Sequence, residues 1–298
     1  DYGKPHQMLD FSYPVRSYST VRRNIPLKTT IPTRYPSEPF GHHVVGRTPE
    51  ECHNKLLGKI KRFGHLTTLS KGQRIELPNV KVVIKQPHTK NTSYGESLLC
   101  GALPPDQPYS YGHRLRIYYG DAIQKCVTLL KKNPESRHAY VSIWDTHRDM
   151  DGSAPCLTSI FFRLFNGKLH LTATFRTHNA SDAWLQNVYG LYHVLAYVAD
   201  AVEMPRGSMT IFSHSISVHT GDMLSVFVPR FEQDPNGDIL ISVGPEGVVA
   251  EHVFEGRCLK KYTGLSIVDE LIQDDVISTV PHALYVGQEL QRAYARNI

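Results

Sequence analysis

The 298-residue chain is 41% hydrophobic, long enough to bury a sizeable core, and shows no composition break, which argues for one elaborated domain. Its net charge of +5 with neutral histidines suits an anionic ligand but lacks the clustered basic face of a nucleic-acid binder, so nucleic acid is not an expected partner. The five cysteines (52, 100, 126, 156 and 258) are odd in number and form no metal-ligand spacing, which argues against a disulfide framework and for a reducing, cytoplasmic setting. The longest apolar stretch, 190–202, includes His193 and Asp200 and is too short for a membrane span, and no signal-peptide core opens the sequence.

Residues 1–46 are rich in Pro, Tyr, Arg, Ser and Thr without periodicity, so an N-terminal arm is expected ahead of a body over 47–298. Its Arg16, Arg22 and Arg23 could approach a phosphate, although charge in such segments more often serves solubility. Thr48 with Glu51 three positions later predicts a capped helix whose apolar positions Leu56, Leu57, Ile60 and Phe63 run to Gly64. A strand over 80–84, a short helix over 93–99 bearing Glu96, a helix over 120–132 and a strand over 139–144 follow. Two strands, 158–164 and 168–175, flank Asn166-Gly167, the strongest short hairpin signal. The mostly apolar run 185–202 predicts a long buried central helix, succeeded by strands at 209–212, 224–228, 239–243 and 248–253 and a last helix over 283–296. Interspersed strands and helices of this kind give an α+β fold, a large mixed β-sheet flanked by helices.

One constellation carries chemistry. Cys156 lies in Ala154-Pro155-Cys156-Leu157, with Arg176 and Asn187 downstream in the same folding unit. A thiolate suits conjugate addition to a pyrimidine ring, a guanidinium can bind phosphate bidentately and favour the thiolate, and an amide offers donor and acceptor to a base edge. A lone Cys in a strand-rich core is ordinarily an inert small hydrophobe, so the residue type alone does not decide. Sixteen histidines, among them His170, His178 and His214, also keep a thiol hydrolase open as a competing class.

Residues 153–219, containing PCLTSIFFRLFNGKLHLTATFRTHNASDAWLQNVYGLYHVLAYVADAVEMPRGSMTIFSHSISVH, resemble the core of the thymidylate synthase and pyrimidine nucleotide hydroxymethylase superfamily, nearer its archaeal-type branch. The likeness extends through PYSYGHRL (Tyr109, Tyr111, Gly112, Arg114), PESRHAYVSIWD (Arg137, Trp144), DPNGDILISV and HALYVGQEL, covering roughly 47–298. It implies that Cys156 adds to C6 of a pyrimidine nucleoside 5′-monophosphate, so that C5 can take a one-carbon unit from 5,10-methylenetetrahydrofolate or a related pterin. It further implies Tyr111 and Glu96 as catalytic groups, Arg176 and Thr177 on the phosphate and Asn187 on the base, with uracil preferred over cytosine. Arg137 and His138 would reach the phosphate from the second subunit of a homodimer.

Several positions depart from that pattern. The His-x-Tyr pair that binds the deoxyribose hydroxyl is replaced by Ser217 and His219, and an Asp expected on the pterin is replaced by Asn179. Trp144 and Trp184 are expected to wall the pterin. The altered sugar position favours hydroxymethylation of a (deoxy)uridylate or (deoxy)cytidylate in a modified-pyrimidine pathway; thymidylate synthesis proper and a catalytically silent nucleotide-binding or RNA-binding descendant are the alternatives.

Overall fold

The computed structural model describes residues 41–69, 72–90, 98–225 and 234–296. Most of the expected arm and Glu96 therefore lie outside the described residues. The expected α+β architecture is present. A large mixed sheet runs in the order β1 (His42–Gly46), β3 (Gly72–Ile84), β8 (Arg206–His219), β6 (Lys168–Phe175), β5 (Leu157–Phe165), β4 (Tyr140–Ser142), with β2 (His65–Leu69) paired to β3 and β7 (His178–Asn179) to β8.

Helix α1 (Pro49–Phe63) begins where the capping signal predicts, with Glu51 N donating to Thr48 Oγ1 at 3.2 Å. The reciprocal bond is displaced by one residue, because the Glu51 carboxylate accepts from Arg47 N at 2.8 Å rather than from the cap residue itself. Short α2 (Tyr111–Arg116), α3 (Ala122–Lys132) and α4 (Thr146–Asp149) precede the β5–β6 hairpin. That hairpin turns at Asn166 and Gly167, whose φ values of 50° and 69° are those of a type I′ turn matched to strand twist.

Helix α5 (Ala183–Ala201) is the long central helix, and its Val188, Leu191, Val194, Leu195, Val198 and Ala199 are all fully buried. Each buried Val or Leu contributes roughly 1.5–3 kcal/mol of transfer free energy, so this helix has few alternatives to packing between α1, α3 and the sheet. A second sheet, β9 (Asp238–Gly244), β10 (Gly247–Phe254) and β11 (Arg257–Thr263), meets α6 (Ile267–Gln273) and α7 (Val280–Arg296) around its own core of Val248, Ala250, Tyr262, Leu271 and Leu290.

Pairing and exposure explain where the elements differ from the sequence reading. The strand expected at 209–212 extends over Arg206–His219, and the one expected at 80–84 over Gly72–Ile84, because each pairs with the other along nearly its whole length. Residues 220–225 form a 3₁₀ turn that takes in the first positions of the strand expected at 224–228, and 226–228 lie outside the described residues. Strand β11 is mostly exposed and so carries no apolar alternation to find.

Candidate active site

The open end of the β5–β6 hairpin brings the thiol and the guanidinium together. Leu157 pairs with Phe175, so Cys156, just before β5, faces Arg176, just after β6, and Arg176 N donates to Cys156 O at 2.9 Å. The Arg176 side chain bends back over the same loop, Nε donating to Pro155 O and Nη2 to Ala154 O, both at 3.0 Å. Its guanidinium lies 5.5 Å from the ring centroid of the half-buried Trp144. Cys156 is half-buried, and Thr177 follows Arg176 on the same turn.

Tyr111 comes to this point from another element. Its hydroxyl accepts from Leu157 N at 3.4 Å, which places the phenol beside the peptide that follows the thiol. The neighbouring Arg114 is fully buried, bonded to Asp149 Oδ1 at 2.5 Å and to Ile143 O at 3.4 Å. Ile143 directly precedes Trp144 and Asp149 ends the short helix that follows it, so Arg114 ties both ends of the segment carrying the indole.

Asn187 is 4% exposed on the first turns of α5, and its Nδ2 bonds His178 Nε2 at 3.0 Å. An amide nitrogen only donates, so Nε2 accepts, the imidazole proton sits on Nδ1, and Nδ1 donates to Ser213 Oγ at 3.2 Å. Burial holds His178 down to a pKa of about 3, so the ring is neutral and this tautomer persists at physiological pH. Phe175 stacks on it at a centroid distance of 3.9 Å. The chain thus fixes which way the Asn187 amide points.

Ser217 and His219 both bond a residue that the sequence did not single out. Arg74 on β3 donates through Nη1 to Ser217 Oγ at 3.2 Å and through Nη2 to His219 Nε2 at 3.1 Å, following the register Arg74↔His219 and Glu76↔Ser217.

A family model described as Thymidylate synthase matches residues 106–226, a segment that holds Tyr111, Cys156, Arg176, Asn187 and His219. A protein named "Putative thymidylate synthase" from Methanosarcina barkeri is 31% identical over 199 residues, 61% of this chain and 92% of that protein. Proteins of the same name from Methanothermobacter thermautotrophicus and Methanocaldococcus jannaschii are 34% and 29% identical, over 55% and 56% of this chain and 72% and 84% of their own lengths. The chain belongs to the thymidylate synthase family. Its members transfer a one-carbon unit from methylenetetrahydrofolate to a pyrimidine, which makes this chain an enzyme of the one-carbon transferase class.

Within that family frame the remaining expected residues separate. Arg137 and His138 are exposed between α3 and β4. Asn179 accepts from Ser181 N at 2.9 Å and donates to Asp182 Oδ2 at 3.3 Å, shaping the turn into α5. Trp184 is a correction: its side chain is fully buried and stacked on His53 at 5.6 Å, filling the core instead of walling a pterin. Trp144 is the tryptophan that stays half-exposed, beside Arg176. Among the described residues no group of His, Cys, Asp and Glu is arranged to hold a metal ion, and no helix is long and apolar enough to cross a membrane.

Proposed function

We propose that this enzyme adds the Cys156 thiolate to C6 of a uridine-type nucleoside 5′-monophosphate and places a hydroxymethyl group on C5. The observation that carries this reading is the bonding of Arg176 to the carbonyls of Ala154 and Pro155 and to Cys156 O, which makes nucleophile and phosphate-binding cation one preorganised unit. Addition at C6 turns C5 into an enolate carbon, a nucleophile the free pyrimidine lacks. After the carbon–carbon bond forms, loss of the C5 proton would expel the donor nitrogen from the transferred carbon, water would add to that carbon in its place, and the C6–sulfur bond would then break to regenerate Cys156.

Arg176 and Thr177 bind the 5′-phosphate, joined by Arg137 and His138 from the second subunit of a homodimer. Asn187, held by His178, donates to O4 and accepts from N3–H of uracil. Ser217 and His219 face the sugar, Tyr111 orients groups at the thiol, and Glu96 handles protons at the base. A flat pterin fits against the half-exposed Trp144, with Asn179 as a polar partner; Trp184 does not fit that role. When bound, 5,10-methylenetetrahydrofolate supplies carbon at the oxidation level of formaldehyde, so water completes a hydroxymethyl product, whereas a methyl product needs a hydride as well.

The altered sugar pair, tied to Arg74, favours the hydroxymethyl outcome of a modified-pyrimidine pathway. The names of the archaeal relatives favour the methyl outcome, as in thymidylate synthesis. Incubation with methylenetetrahydrofolate and each of UMP, dUMP, CMP and dCMP, followed by product mass, separates the two because the hydroxymethyl product is one oxygen heavier. Cys156→Ser should abolish tritium release from C5 of the accepted nucleotide while circular dichroism stays unchanged. Undiminished release would refute the covalent role of the thiol.

A further inference from the structure

Resting on the nucleotide site proposed above, Ser217 and His219 occupy the sugar end, and their bonding to Arg74 changes what that end can accept. A guanidinium donates hydrogen bonds and never accepts them, so Ser217 Oγ and His219 Nε2 are both acceptors toward Arg74. The hydroxyl proton and second lone pair of Ser217 and the Nδ1–H of His219 are then what the pair has left to offer. Arg74 Nε is buried and has no hydrogen-bond partner. No ion pair among the described residues includes Arg74. The carboxylate two residues along the strand, Glu76, takes the Ser215 hydroxyl at 2.5 Å instead.

The cluster is therefore rich in donors, centres on a guanidinium with no ion pair among the described residues, and keeps as acceptor only the second lone pair of Ser217 Oγ. A ribose or deoxyribose hydroxyl can take one of these donors and give its proton to that lone pair, but it brings the guanidinium no counter-charge. A phosphoryl group brings acceptors and negative charge only, and it matches. Arg74 also approaches β8 from the β3 side, whereas Arg176 stands on the β6 side, with Phe175 paired to Ser213 and Arg74 to His219. The two cations are thus separate points on either side of one strand.

We infer that Arg74, Ser217 and His219 form a second oxyanion subsite, and that the pyrimidine nucleotide taken by this enzyme carries a phosphoryl group on its ribose as well as the one at the 5′ position. Titration calorimetry with uridine 5′-monophosphate, uridine 3′,5′-bisphosphate and uridine 2′,5′-bisphosphate tests this on the full chain. One bisphosphate is expected to bind about tenfold tighter than the monophosphate, the effect of one added charge-assisted contact. The preference should fall to about unity in Arg74→Gln and survive in part in Arg74→Lys. Ser217→Ala, a smaller change, serves if Arg74→Gln does not fold, and should also reduce the preference. Equal affinity of the wild-type protein for mono- and bisphosphates, or a preference unmoved by these substitutions, overturns the subsite and leaves the nucleotide reading standing. Failure of all three ligands to bind overturns both.

Discussion

Under the proposed reading, the buried ring of His178 governs recognition through Asn187 without meeting the ligand. It is boxed between Phe175, Ser213 and Asn187, and its neutral form is the only one that can accept from the amide. His178→Phe keeps the stacking volume but removes both hydrogen bonds, including the one through which the ring orients the Asn187 amide. We expect the uracil-over-cytosine ratio of kcat/KM to fall about tenfold, the worth of one net hydrogen bond of roughly 1.4 kcal/mol. The same ring leaves a mark on stability. Its folded pKa of about 3 lies below the usual value of 6.5, so its contribution is complete above that value and is lost as pH falls toward the lower one. The slope of unfolding free energy between those limits should flatten in His178→Phe; an unchanged slope in urea titrations would show that another group carries it.

At the scale of elements, two devices hold segments in place. The β5–β6 hairpin sets Cys156 against Arg176 through its turn and register, both local in sequence. Asp234 acts over a longer range. Its carboxylate accepts from Ser278 N and Oγ, Asn236 N and His282 Nδ1, all between 2.6 and 2.9 Å, and so ties the start of β9 to the start of α7. Burial would raise its pKa, but the hydrogen bonds from His282, Ser278 and Asn236 outweigh that and hold it well below the ordinary carboxylate range. The sign follows from linkage: the stabilisation is present above pH of about 3.9 and disappears as acid protonates the native carboxylate. Asp234→Ala orphans those donors, and chemical denaturation at neutral pH should register a loss of about 3 kcal/mol, shrinking toward zero in acid. A loss that is the same at both pH values would assign the effect to packing.

On the scale of the whole molecule, the proposed homodimer makes a sharp demand. If Arg137 serves the site of the opposite subunit, a refolded mixture of Cys156→Ser and Arg137→Ala chains regains activity that neither variant has alone, since one site per mixed dimer is intact. No recovery from a mixture shown by light scattering to be dimeric would place Arg137 on its own subunit's site or none. What can be read from sequence divides along the same lines of distance. The meeting of Cys156 with Arg176 is legible because one hairpin joins them, and the buried helix is legible because its apolar run is continuous. Arg74 is not, because its meeting with Ser217 and His219 depends on pairing two strands more than a hundred residues apart. In sequence His178 reads only as a possible base for the thiol; burial, invisible to spacing, assigns it to the amide. Trp184 misleads because an indole near a site and an indole in a core look alike in sequence. The carboxy-terminal sheet encloses its own Tyr262 and Leu290 and meets the large sheet through polar links such as Lys85 with Asn236 and Gln86 with Glu255. Two separate cores let the β9–β11 layer open locally while β5, β6 and β8 stay packed, so amide exchange is expected to be faster in β9–β11 than in the large sheet.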